Sequence, residues 1–326
     1  MTTIPVSPAK IHISDKIASA VYEGLMSRPR WLPSWLFYDA AGSRLFDEIT
    51  RISEYYVTRT ERKILAEHCA EIVERAAGDN VLRIVELGAG SADKTRLLLT
   101  AAADRQNTVF YEPVDVSASA LVEAQLRIED ELPGVIVCPR VQDYTQDLEL
   151  DSTLPSERRL LLYIGSSIGN FEPGESLMLL ERVRAAVEPG DCFLLGVDLV
   201  KAEPVLQAAY DDAGGVTAAF NRNVLVRLNR ELDADFDPAT FAHRAEWNPA
   251  ESRMEMHLVS AKKQEVWLPG IDLRVRFEVG ESIHTENSYK YKPGAAEALL
   301  EKAGFAPEQT WTDEQGWFAV VLARAV

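Results

Sequence analysis

Apolar positions recur at helical spacing over residues 14–28 (SDKIASAVYEGLMSR), with Ser14 or Asp15 placed to cap the helix. The same spacing returns from about Thr58 in EYYVTRTERKILAEHCAEIVERAAG, after a connection rich in proline and tryptophan (PRWLPSW) and the segment FYDAAGSRLFDEIT. From Leu82 the pattern alternates between short apolar runs and amphipathic stretches. A strand LRIVELG leads to a helix over 92–104, a strand TVFYEPVD to a helix over 117–131, and a strand VIVCP, through a link holding Asp143 and Tyr144, to a strand RLLLYIG. A helix over 174–188 and a strand DCFLLGVDLV close the series. Parallel neighbours need a crossover, so strands alternating with helices predict an α/β doubly wound parallel sheet. From Lys201 to about Glu286 the pattern breaks into two helical stretches and three or four period-two strands, which reads as an α+β insertion. Pro293 then opens a helix ending at Gly304, and two last strands follow. The predicted division is one domain of residues 1–200 plus 287–326, interrupted by an inserted substrate domain of residues 201–286.

Composition narrows the function classes. The 326 residues carry 34 basic and 51 acidic side chains, a formal net charge of −17. Such a field opposes nucleic acid and anionic membranes and leaves a small molecule as the expected partner. Cys69, Cys138 and Cys192 lie far apart, with no zinc-like spacing and an odd count for disulfides. No apolar run approaches the length of a membrane span, and the opening residues lack a basic start followed by an apolar stretch. The expectation is a soluble, cytoplasmic, monomeric protein. The five histidines are scattered, and none is assigned to a metal or to catalysis.

The densest chemical signal is LRIVELGAGSADK, an apolar strand ending in an acid, two glycines and a helix start. Only glycine lets a ligand press against the backbone of such a turn. A dinucleotide fingerprint needs a third glycine three residues after the second, and that position is Asp93. A carboxylate there repels phosphate, whereas Glu86 suits a ligand bearing positive charge, such as S-adenosylmethionine. The turn therefore predicts a class I methyltransferase sheet.

In an open doubly wound sheet the ligand lies beyond the carboxyl ends of the strands. Gly88 and Gly90 end the first strand, Glu112 and Asp115 the second, where a carboxylate accepts ribose hydroxyls. Asp143 and Tyr144 follow the third, suited to an adenine ring. The fourth runs into GSSIGNF, which sets Gly165, Ser166, Gly169 and Asn170 beside the transferred group. Taken singly, each carboxylate reads equally as a helix cap.

Several longer stretches carry a more specific signal: WLFYDAAGSRLFDEIT, EYYVTRTE, ELGAGSADKT, IGSSIGNF, DLVK, AYDDAGGVTAAFNRNVL, RMEMHL and TENSYKYKP. Over almost the whole chain they resemble the histidine Nα-methyltransferases of ergothioneine biosynthesis, which convert L-histidine to its trimethylbetaine, hercynine. The resemblance implies S-adenosyl-L-methionine as cofactor, leaving as S-adenosyl-L-homocysteine, in a pocket using Tyr38, Gly88, Lys94, Asp115, Asp143 and Tyr144. It implies that Tyr55 and Asn170 are catalytic and hold the amine and carboxylate of the acceptor, helped by Gly165 and Tyr210. Glu286 and Ser288 would hold the imidazole, with Phe46 and Met256 lining the cavity. Glu286 and Ser288 stand at i and i+2, the same face of a strand. Two alternatives stay open: an Nα-methyltransferase of another, tryptophan-like aromatic amino acid, and a non-catalytic protein that binds S-adenosylmethionine.

Overall fold

The computed structural model describes residues 8–90, 92, 94–151, 153–154 and 156–326, and Asp93, used above against a dinucleotide, lies outside them. The chain divides into two compact units, one built from residues up to Tyr56 together with Lys201–Ser288, the other from Val57–Val200 and Tyr289–Val326.

The second unit is the doubly wound sheet. Its strands run in the spatial order Phe305–Thr312, Phe318–Ala325, Cys192–Asp198, Glu157–Tyr163, Val81–Leu87, Val109–Asp115, Val135–Val137, with the short Arg140–Val141 also pairing on Val109–Asp115. Neighbours from Cys192–Asp198 to Val135–Val137 are parallel, and Phe318–Ala325 runs antiparallel to both of its neighbours. This is the class I methyltransferase architecture expected from the alternation, closed by the expected antiparallel hairpin. The strands read as near-continuous apolar runs because they are buried between layers. Val85, Leu161, Phe193 and Val321 pack in one cluster with Leu179, Leu180 and Val183 of the helix Pro173–Ala186 and Leu300 of the helix Ala295–Lys302. The chain reverses sheet direction at Val81–Leu87, so its carboxyl end and that of Glu157–Tyr163 flank the crevice where such folds take ligands.

Among the described residues the first unit holds a four-stranded sheet in the order Arg30–Trp31, Ser282–Tyr289, Arg253–Ser260, Phe241–Asn248, a separate hairpin of Gln264–Leu268 and Leu273–Phe277, and the α-helices Pro8–Met26, Ala40–Ile49, Glu203–Tyr210 and Val216–Leu232. Here the division expected from the sequence needs correction. That division gives residues 1–56 to the cofactor-binding domain, yet the described part of the segment packs with the insertion. Arg30–Trp31 adds a parallel edge strand to Ser282–Tyr289. The Phe37 ring lies 4.7 Å from that of Phe220, Arg227 donates to the Leu36 carbonyl at 2.9 Å, and Asn223 donates to Asp39 at 2.8 Å. Sequence order hides such a partnership, because the two segments lie more than a hundred residues apart and neither shows a linker. Among the described residues no helix is long and apolar enough to cross a membrane.

Candidate active site

In the second unit the turn after Val81–Leu87 takes the shape that its glycines allow. Gly88 has φ +69°, and a β-carbon there would fall 3.0 Å from the Tyr144 hydroxyl. Tyr144 in turn stands edge-on to Tyr163 at 5.9 Å, and burial pushes its hydroxyl up to about 12. Asp115 ends its strand and accepts from the Ser117 amide at 2.9 Å. Asp143 accepts from the amide and hydroxyl of Thr145 at 3.2 and 2.5 Å. Both carboxylates are thus oriented by short local loops at the ligand end of the sheet.

Two acids that the sequence set at strand ends do other work than it suggested. Glu86 is buried, accepting from the Thr95 hydroxyl at 2.7 Å and from the Tyr111 hydroxyl, and burial pushes it up to about 7. It ties the first helical residue after the glycine turn to the two central strands, rather than facing a cationic ligand. Glu112, in the middle of the strand Val109–Asp115, is likewise buried and pairs with Arg83 at 2.5 Å and Arg140 at 2.9 Å, so of the two acids of that strand Asp115 is the one at its carboxyl end. Alternation along a strand tells which residues share a face but not which end of a side chain meets a partner.

A residue the sequence reading did not single out connects two that it did. Glu61, on the helix Tyr56–Ala77, is 0% exposed, pairs with the Lys94 ammonium and accepts from the Gly165 amide at 2.8 and 2.9 Å. Gly165 is followed by Ser166 in the left-handed region at φ +58°, whose hydroxyl accepts from the Asp198 amide at 2.9 Å. The short helix Ser167–Asn170 then presents Asn170, with Gly169 pressed against the Tyr289 backbone, where a β-carbon would lie 2.8 Å from a carbonyl oxygen. Asp198 also holds Lys290 at 2.8 Å in a fully buried ion pair.

The first unit gathers the aromatic candidates. Rings of Tyr38 and Phe46 meet edge-on at 5.9 Å, Phe46 and Tyr55 at 6.4 Å, Tyr55 and Tyr210 at 6.3 Å. Tyr38 therefore stands with Phe46 and Phe220, in a different unit from Gly88, Lys94, Asp115, Asp143 and Tyr144. Tyr210 and Ser288 share a hydrogen bond of 2.7 Å between their hydroxyl oxygens.

Glu286 and Ser288 lie on one face of the strand Ser282–Tyr289, Ile283 and Thr285 on the other. Burial alternates along the strand except at Thr285 and Glu286, which are both buried, so both faces are covered at that point. Behind them lies a network that the scattered histidines gave no hint of. His243 donates from Nε2 to the Tyr210 carbonyl at 2.8 Å, which makes Nδ1 the acceptor from Asn221 at 2.9 Å. Thr285 donates to Asn221 Oδ1 at 2.8 Å and lies 3.0 Å from the carbonyl of Met256, itself buried. Burial lowers His243 below its ordinary value, in keeping with a neutral ring. Among the described residues no group of three His, Cys, Asp or Glu could hold a metal ion.

Comparison with known proteins adds the family. Residues 17–325 match the family described as histidine-specific, SAM-dependent methyltransferases. The histidine N-alpha-methyltransferase of Mycobacterium tuberculosis is 45% identical over 304 residues, covering 93% of this chain and 93% of that protein. Its counterpart by name in Mycolicibacterium smegmatis is 45% identical over 323 residues, covering 98% and 99%. Ergothioneine biosynthesis protein 1 of Schizosaccharomyces pombe is 28% identical over 281 residues, which span 84% of this chain and 36% of that protein.

Proposed function

We propose that this chain, which belongs to the histidine-specific, SAM-dependent methyltransferases, methylates the α-amine of L-histidine three times, making hercynine for ergothioneine biosynthesis. The observation that carries the choice of acceptor is the Tyr210–Ser288 hydrogen bond beside Glu286 on one strand face. With Tyr210 donating, Ser288 takes the donor role toward an unprotonated imidazole nitrogen, while the Glu286 carboxylate accepts from the protonated one. A neutral imidazole offers one donor and one acceptor, so the pair matches it and penalises a side chain lacking either. Met256 and Phe46 supply apolar walls, and His243 fixes the helix end bearing Tyr210.

S-Adenosylmethionine, when bound, supplies a methyl group on a cationic sulfur and departs as S-adenosylhomocysteine. The residues present fit it. The turn at Gly88 keeps open space that a β-carbon would narrow, Asp115 and Asp143 stand at strand ends suited to hydroxyl and amine donors, and Lys94 offers an ammonium to a carboxylate. We assign Gly88, Lys94, Asp115, Asp143, Tyr144 and Tyr38 to this cofactor. Tyr55 and Asn170, with Gly165, are assigned to the amine and carboxylate of the acceptor, where they orient an uncharged nitrogen and exclude water. Three rounds end the sequence because a quaternary nitrogen has no lone pair. The net charge of −17 and the free thiols of Cys69, Cys138 and Cys192 support a cytoplasmic monomer acting on a small molecule, with no nucleic acid or membrane partner.

The test is mass analysis of a reaction with L-histidine, where a gain of three methyl groups is expected. Glu286→Ala should raise the KM for histidine about tenfold or more while sparing tryptophan, and Asn170→Ala should lower kcat by a similar factor. Ordinary histidine kinetics in both variants would overturn the assignment.

A further inference from the structure

We infer that Glu61 is a positioning residue that sets the Lys94 ammonium and the Gly165 amide in one fixed relation, and through Lys94 the cofactor end of the site. The inference deepens the reading given under Proposed function and rests on it. Glu61 is wholly shielded from solvent, and both things it binds belong to candidate site segments: a side chain from the glycine turn and a backbone amide opening GSSIGN. Its carboxylate is walled in, since a β-carbon on Gly196, in the neighbouring strand Cys192–Asp198, would fall 2.0 Å from Oε1. A lysine stem is flexible and its ammonium rotates, so a buried anion is what turns it from a mobile charge into a fixed donor. Lys94 has three N–H groups and Glu61 takes one direction of approach, which aims the ammonium at a cofactor carboxylate rather than at water. Burying a carboxylate is costly unless it is paired and hydrogen-bonded on both oxygens, and Glu61 is. For ordinary helix stability an exposed acid at this position would serve as well.

Calorimetry with S-adenosylhomocysteine tests the role on the full-length protein, using Glu61→Gln, Lys94→Gln and the double variant, each checked by thermal melting. Glu61→Gln should weaken S-adenosylhomocysteine about tenfold or more and raise the KM for S-adenosylmethionine correspondingly. In the Lys94→Gln background the same change should cost less than about twofold, because the residue acts through Lys94. The double variant leaves no unpaired charge at the buried position, so comparison with Lys94→Gln reports even if Glu61→Gln alone does not fold. A full additional loss in the double variant, or parental affinity in Glu61→Gln, overturns the role of Glu61. Failure of the parent protein to bind S-adenosylhomocysteine would instead remove the reading beneath it.

Discussion

Glu86 shows how far one side chain can depart from what its position suggests. It sits at a strand end beside the glycine turn, where an acid reads as a ligand contact, yet both its oxygens accept from neighbours in the interior. Burial raises it from the usual carboxylate range to about 7. With the folded value above the unfolded one, the unfolded chain releases this proton first as pH rises. The ionised form therefore costs stability progressively between about pH 4.5 and 7, and the cost is complete above that window. Glu86→Gln removes the titration while keeping an acceptor for Thr95, with the amide able to donate to the Tyr111 oxygen. We expect the melting temperature of the variant, relative to the parent, to climb by several degrees from pH 5 to pH 8, since about 2–4 °C follows each kcal/mol in a unit of this size. Thermal melts in parallel buffers check this, and a constant difference across the range counts against an ionising Glu86. Nothing in the sequence separates this acid from Asp115, because both follow apolar strands; only the third dimension supplies Thr95 and Tyr111.

At the scale of elements, the strand, turn and helix around Gly88 were legible because two glycines after an apolar run have few other uses. The helix Val216–Leu232 and the final hairpin were equally readable from their periods. The burial of both Thr285 and Glu286 was not. The spacing of Glu286 and Ser288 placed them on one face, but that both faces of the strand are covered there depends on partners far along the chain, such as Tyr210 and Asn221. Glu61 escaped notice for a related reason: on a helix rich in charge an acid reads as solvated until the partners of its face are known. The glycine turn allows a sharp comparison between two positions with the same backbone handedness. Gly88 and Gly90 both have positive φ, so alanine at either carries a strain of about 1 kcal/mol. Only at Gly88 does the new carbon also meet a neighbour, the Tyr144 hydroxyl at 3.0 Å, whereas Gly90 has nothing within 4 Å. Gly88→Ala should therefore weaken S-adenosylhomocysteine at least about tenfold more than Gly90→Ala, with similar melting temperatures. Equal affinities in calorimetry would mean that Tyr144 yields and that its contact with the turn does not shape the pocket.

At the scale of the whole molecule, the two compact units recast what the insertion is. The chain leaves and re-enters the second unit through neighbouring points: Leu199 bridges to Tyr291, the Val200 amide donates to the Tyr291 carbonyl at 3.0 Å, and the Tyr291 amide donates to the Asp198 carbonyl at 2.8 Å. Residues 201–288 can therefore be replaced by a short flexible linker with little loop-closure cost. The opening segment must go with them. Leu36, Phe37 and Ile49 are buried, Arg30 is paired with Glu281, and the edge strand Arg30–Trp31 rests on Ser282–Tyr289. A protein of residues 57–200 joined by linker to 289–326 keeps every strand of the doubly wound sheet and the Glu61–Lys94 pair. We expect it to be monodisperse by size exclusion and to melt cooperatively. A protein that deletes only 201–286 strands the opening segment without its sheet and helix partners, exposing an apolar face, so it should aggregate or lose cooperativity. The two shortened proteins differ at their start and by a few residues at the splice, and the comparison turns on where residues up to Tyr56 belong. If the longer of the two proved the better behaved, those residues would owe their fold to the doubly wound unit, and the division drawn from the sequence would be restored.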